Sequence, residues 1–112
     1  MSDSLNSSTR STLSSAMSVY LKKRIEEQIA EDRSCKDSLE TNVSKVRENM
    51  KRREEILNLL TGMKESSVRE VAMMFMVDLG ERDEKQLKEL SDAIAILRCS
   101  MNTKIKFLQS FF

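Results

Sequence analysis

Residues 60–70 read Leu60-Thr61-Gly62-Met63-Lys64-Glu65-Ser66-Ser67-Val68-Arg69-Glu70. Whether this stretch is a turn decides whether the chain is one rod or a hairpin. Gly62 suits the left-handed position just past a helix end, where a Cβ would be strained. Five residues on, Ser67 and Glu70 have capping-box spacing: the hydroxyl can accept from the Glu70 amide, and the carboxylate can reach back to the serine amide. A stop followed by a start predicts a chain reversal between Thr61 and Ser67.

Upstream, a helix is expected over about residues 12–61. Residues 1–10 are rich in Ser and Asn and are expected to be a disordered tail, because they offer little to bury. The helix carries a heptad seam, the signature of a coiled coil. One position holds Ile29, Lys36, Val43, Met50 and Leu57; the other holds Ile25, Asp32, Leu39, Val46, Arg53 and Leu60. Leu13, Met17 and Leu21 extend an apolar stripe further upstream. The polar members Asp32, Lys36 and Arg53 have two readings: they fix register or partner choice at some cost, or they mark where the seam is less buried.

Downstream, a second helix is expected over about 68–79. Gly80 repeats the stop signal, and Asp83 to Gln86 offer another N-cap. A third helix is then expected over about 84–111. A return arm continuous through Gly80 is the alternative, since one helical glycine costs only ~1 kcal/mol. Leu87, Leu90, Ile94, Leu97, Met101, Ile105, Leu108 and Phe112 share one stripe, flanked by Ala93, Ile96, Phe107 and Phe111. The apolar band is wider than a two-stranded seam needs. The expected fold is all-α: a long antiparallel helical hairpin, jointed or continuous at Gly80, within a multi-helix bundle. Residues 11–112 form its single helical domain.

The composition narrows function. The chain has 112 residues, no proline, two glycines and no tryptophan, too little punctuation for a many-turned β fold. Its 19 basic and 18 acidic residues give a net charge of +1, without the basic excess expected of a nucleic-acid binder. There is no histidine, so the commonest general base and metal ligand is missing. Cys35 and Cys99 form no CxxC motif and are expected to be buried beside the two stripes. No Gly-rich phosphate loop occurs. No catalytic residue, cofactor site or metal site is expected. Neither a signal peptide nor a run of ~18 apolar residues is present, so an intracellular, cytoplasmic or nuclear, setting is expected.

The stretch Ala72-Met73-Met74-Phe75-Met76-Val77 is apolar all round. Val68, Val71, Ala72, Phe75 and Leu79 make one face; Met73, Met74, Met76 and Val77 fill the others and cannot all meet one neighbouring helix. Partner contacts are therefore expected at Met73, Met74, Phe75, Met76, Val77, Ile96, Met101, Phe107, Leu108, Phe111 and Phe112. The hairpin seam is expected at Ile25, Ile29, Leu39, Val43, Val46, Met50, Leu57 and Leu60 against Leu87, Leu90, Ile94 and Leu97. Lys104 and Lys106 among the terminal phenylalanines suit a membrane surface, but the unbroken stripe favours packing against protein. The expected role is a non-catalytic adaptor subunit assembling with other helical chains in a hetero-oligomer. A homodimeric four-helix bundle and a small chaperone or regulator holding a client helix are the alternatives.

Spin labels at Lys51 and Lys85 separate the two topologies. They should lie close together in a hairpin; in one continuous rod they would be ~50 Å apart, the rise of 34 residues.

Overall fold

A computed structural model describes residues 7–112, and their side chains from residue 15 onward. Helix α1 spans Ser7–Thr61 and helix α2 spans Ser67–Phe111. The two pack as a helical hairpin around the reversal expected between Thr61 and Ser67. Of the tail expected over 1–10, residues 1–6 lie outside the described residues, and α1 already includes residues 7–10.

No glycine or proline interrupts α1. Pairs one turn apart support its exposed side: Arg24–Glu27 at 3.0 Å, Lys36–Glu40 at 3.2 Å and Glu48–Arg52 at 2.9 Å. Each contributes only ~0.2–0.5 kcal/mol, so burial of the seam decides the matter. Every expected seam residue is buried or half-buried, and Ile29, Val43, Val46, Ile94 and Met101 form the core.

The return arm is one helix, not two. It runs through Gly80 and Asp83 without a break. From Arg69, steps of four and three residues pass through Met73, Met76, Gly80, Asp83, Leu87, Leu90, Ile94, Leu97, Met101, Lys104 and Leu108. All of these are buried or half-buried. Gly80 is thus a seam position, and its ~1 kcal/mol propensity cost is small beside the burial that continuity preserves. Asp83 caps nothing; it serves inside the seam.

Helical phase also orients the segment before Gly80. Leu87 and Leu90 set the inward direction, and continuity carries it back to Met76 and Met73. Val68, Val71 and Phe75 are thereby turned outward and exposed.

The turn is closed differently from the expectation. Neither glycine has a positive φ. The Gly62 amide donates to the Asn58 carbonyl (3.3 Å) and the Met63 amide to the Leu60 carbonyl (3.1 Å), a tightening last turn. The N-cap of α2 is Ser66, one residue earlier than expected: its Oγ accepts from the Arg69 amide at 3.1 Å, and its carbonyl accepts from the Glu70 amide at 3.1 Å. The third helical position is then Arg69, not Glu70, so no carboxylate completes a capping box. Arg69 reaches instead across the turn. Its Nε donates to the Leu60 carbonyl (2.6 Å) and its Nη2 to the Thr61 carbonyl (3.3 Å). The last turn of α1 has no basic residue of its own; Arg69 supplies the cation that a helix C-terminus favours and occupies the carbonyls that a left-handed glycine would otherwise serve.

Packing divides the described residues into two compact units. One holds Lys36–Ile96 and includes the turn; the other joins α1 residues up to 35 with Leu97–Phe112.

Two substitutions test these assignments. A Cβ built on Gly80 meets nothing within 4 Å, so Gly80→Ala should raise stability by ~1 kcal/mol, read as a higher melting temperature. Arg69→Met keeps the length of the side chain and removes both cross-turn donors. It should lower stability by ~1–2 kcal/mol, as for loss of hydrogen bonds from a charged group, in urea titration.

Candidate partner-binding surface

In the unit around the turn, the apolar seam holds one cross-helix ion pair. Arg53 of α1 and Asp83 of α2 form an ion pair between half-buried side chains. Arg53 Nη1 and Asp83 Oδ2 are removed from water and pair with each other as opposite charges. Beside them the missing side chain of Gly80 leaves an open notch of about 210 Å³, bordered by Met50, Leu57 and Met76.

The outer surface of this unit is unusually apolar. Val68 is 79% exposed, Leu59 71% and Phe75 61%. Ile56, Met63 and Val71 are exposed with them. Val68, Val71, Ala72 and Phe75 border an open apolar depression of about 520 Å³. Met74 and Val77 are exposed as well, but heptad phase places them on the opposite flank of α2. Ile96, farther along α2, is 69% exposed.

In the second unit Asp32 of α1 is the polar seam position. Its Oδ2 accepts from Lys104 Nζ at 2.7 Å and from Ser100 Oγ at 3.0 Å, both on α2. The hydrogen bond from Lys104 holds the Asp32 carboxyl below its ordinary range, against the opposing effect of desolvation; Ser100 and the Lys104 charge assist. Phe107 stacks on Phe111 with centroids 4.5 Å apart and planes at 30°, and Phe112 lies 6.1 Å from Phe107. All three rings remain exposed, as do Met17, Val19, Tyr20 and Leu21.

The expected partner residues therefore separate into three groups. Met74, Phe75, Val77, Ile96, Phe107, Phe111 and Phe112 are exposed; Met73, Met76 and Leu108 are half-buried; Met101 is buried. Met101 falls on the heptad seam and belongs to the hairpin core. Upstream, Met17 and Leu21 leave the seam, and Ser18 and Ile25 are the better covered positions; the side chain of Leu13 lies outside those described. Cys35 and Cys99, expected to be buried, are both exposed. A single partner helix covers only the seam, and residues one step round the helix stay in solvent. Ile56 and Leu59 near the end of α1, and Met63 in the turn, are apolar residues beside the seam that remain exposed. Among the described residues, no set of three or more His, Cys, Asp or Glu side chains is placed to hold a metal ion. None of the described helices is long and apolar enough to cross a membrane.

The Asp32 contacts carry a pH signature. A carboxyl whose folded pKa is depressed contributes stability that is fully present above its unfolded pKa, near 4, and is lost as pH falls through the lower folded value. Asp32→Asn should therefore melt below the wild type at pH 7, and the gap should close as pH drops below about 4. A gap that is constant from pH 7 to the acid limit would show that the Asp32 charge is not what holds Lys104 and Ser100.

Comparison with protein-family models, characterised proteins and solved structures gave no match to this chain.

Proposed function

We propose that the protein is a non-catalytic adaptor: a helical hairpin that assembles with other helical chains through the apolar surface its own seam leaves uncovered. The observation carrying this reading is the exposure of large side chains at helical spacing, foremost Val68, Val71 and Phe75. Scattered exposed apolar residues are ordinary on a protein surface; a strip at steps of three and four is the pattern by which a helix receives another helix. Ile96 and the stacked Phe107 and Phe111 extend the supply of such positions on α2. Met74, exposed on the other flank of α2, adds a side chain that adapts to irregular neighbours. Nearly balanced charge favours protein helices over nucleic acid as partners.

Co-purification of tagged full-length chain from its native host tests the reading by position. Met74→Asp, Ile96→Asp and Phe107→Asp each place a charge where a dry contact is expected. Each should reduce recovery of the same co-purifying chains by at least ~10-fold, the effect of ~1.4 kcal/mol, while circular dichroism remains that of the wild type. Lys88→Asp and Lys106→Asp, at exposed positions, should leave recovery unchanged. Equal recovery with all five variants would remove the support for an adaptor role.

A further inference from the structure

The unit that joins α1 residues up to 35 with Leu97–Phe112 has a one-sided charge at one end. Ile25 of α1 and Phe107 of α2 border the same open apolar depression there. Residues 15–25 contain Lys22, Lys23 and Arg24, and residues 97–112 contain Arg98, Lys104 and Lys106; neither stretch has an acidic residue, in a chain that otherwise balances its charges. The next carboxylates along α1 are Glu26 and Glu27, and Arg24 holds Glu27 at 3.0 Å. Lys104 is taken by Asp32 at 2.7 Å. Lys22, Lys23 and Lys106 are exposed and enter no ion pair among the described residues. Large apolar groups accompany these free cations. Met17, Tyr20 and Leu21 share one face of α1 and are exposed. Phe111 is 69% exposed although it stacks on Phe107, and Phe112 is exposed beside them.

We propose that this end of the unit docks on an anionic lipid surface, with Tyr20, Leu21 and Phe111 entering the boundary between headgroups and acyl chains and Lys22, Lys23 and Lys106 held at the headgroups. The sign of the charge identifies the partner. A protein helix carries both signs on its flanks and is ordinarily met by both, as on the remainder of this hairpin. An anionic bilayer offers one sign over an apolar interior, and unpaired lysines beside exposed rings are its complement. Lysine suits the boundary, because its methylenes lie along apolar surface while the ammonium stays in water. Tyrosine suits it for the same reason, being apolar in its ring and polar at its tip. None of the described helices is long and apolar enough to cross the bilayer, so the contact is with its surface. This inference goes beyond the adaptor reading, whose carrying residues Val68, Val71 and Phe75 belong to the other unit.

Co-sedimentation of the full-length protein with vesicles tests this directly. Wild type should pellet with vesicles of phosphatidylcholine and phosphatidylserine in equal parts and stay in solution with phosphatidylcholine alone. Lys22→Ala, Lys23→Ala and Lys106→Ala should each weaken binding ~5-fold, and Phe111→Ser by at least ~10-fold. Tyr20 is the one tyrosine and tryptophan is absent, so intrinsic fluorescence reports on this end alone. Brominated acyl chains in the bound vesicles should quench it. Met74→Asp, in the other unit, should bind vesicles as the wild type does while losing co-purifying chains, so the two readings fail separately. A wild type that ignores phosphatidylserine vesicles overturns the proposal. So does binding that survives Phe111→Ser with Tyr20 unquenched. Binding to polyglutamate as tight as to vesicles, and indifferent to Phe111→Ser, would mark an acidic protein as the partner and overturns it as well.

Discussion

A charge in an otherwise apolar seam can be satisfied in only one alignment. Helices joined by leucine, valine and methionine alone can slip by a heptad and meet almost the same chemistry. Arg53 cannot: moved one heptad along α2 it would face Leu90 or Met76, and its guanidinium would be left half-buried without an anion. Leaving one member of such a pair unmatched costs several kcal/mol. The contact of Arg53 with Asp83 therefore fixes how the helices around the turn are aligned. Asp32 does the same in the other unit, where Lys104 and Ser100 give its carboxylate two donors. Pairs of this kind need add little net stability. Their value is that competing alignments are worse.

Alignment in turn decides which surfaces are left over. Because Asp83 must face Arg53, the phase of α2 is set at that point, and the helix carries it back past Gly80. Met73 and Met76 then turn toward α1, while Val68, Val71 and Phe75 turn away. The exposed strip beside the turn is the remainder after the seam has taken its share.

Much of this was legible in the sequence, for a physical reason. Heptad repetition is a property of many residues at once, so the seam from Ile25 to Leu60 and from Leu87 to Leu97 could be read without knowing its partner. The reversal near Gly62 rested on two independent signals. Features that depend on a single residue were harder to read. Gly80 looks like a stop because glycine disfavours helix, yet the deciding energy lies in the burial on either side of it. Ser66 and Ser67 are equally good caps by chemistry, and only the reach of Arg69 to Leu60 and Thr61 distinguishes them. Cys35 and Cys99 were misread because the width of the covered zone depends on the number of neighbouring helices, which a periodic pattern does not state. The polar seam positions left two readings open; cross-helix partners for Asp32 and Arg53 favour alignment, whereas Lys36 pairs along its own helix with Glu40.

The way Arg69 closes the turn has a consequence for mutational tolerance. Its donors reach carbonyl oxygens, which every amino acid supplies, and not the side chains of Leu60 or Thr61. The identity of Thr61 is therefore nearly neutral for closure, and genetic drift there is cheap. Position 69 bears the whole constraint, because no residue with fewer or shorter donors spans the same gap. Related chains built on this turn could diverge widely at the end of their first helix, and an arginine one turn into the second would be the more durable sign of common architecture.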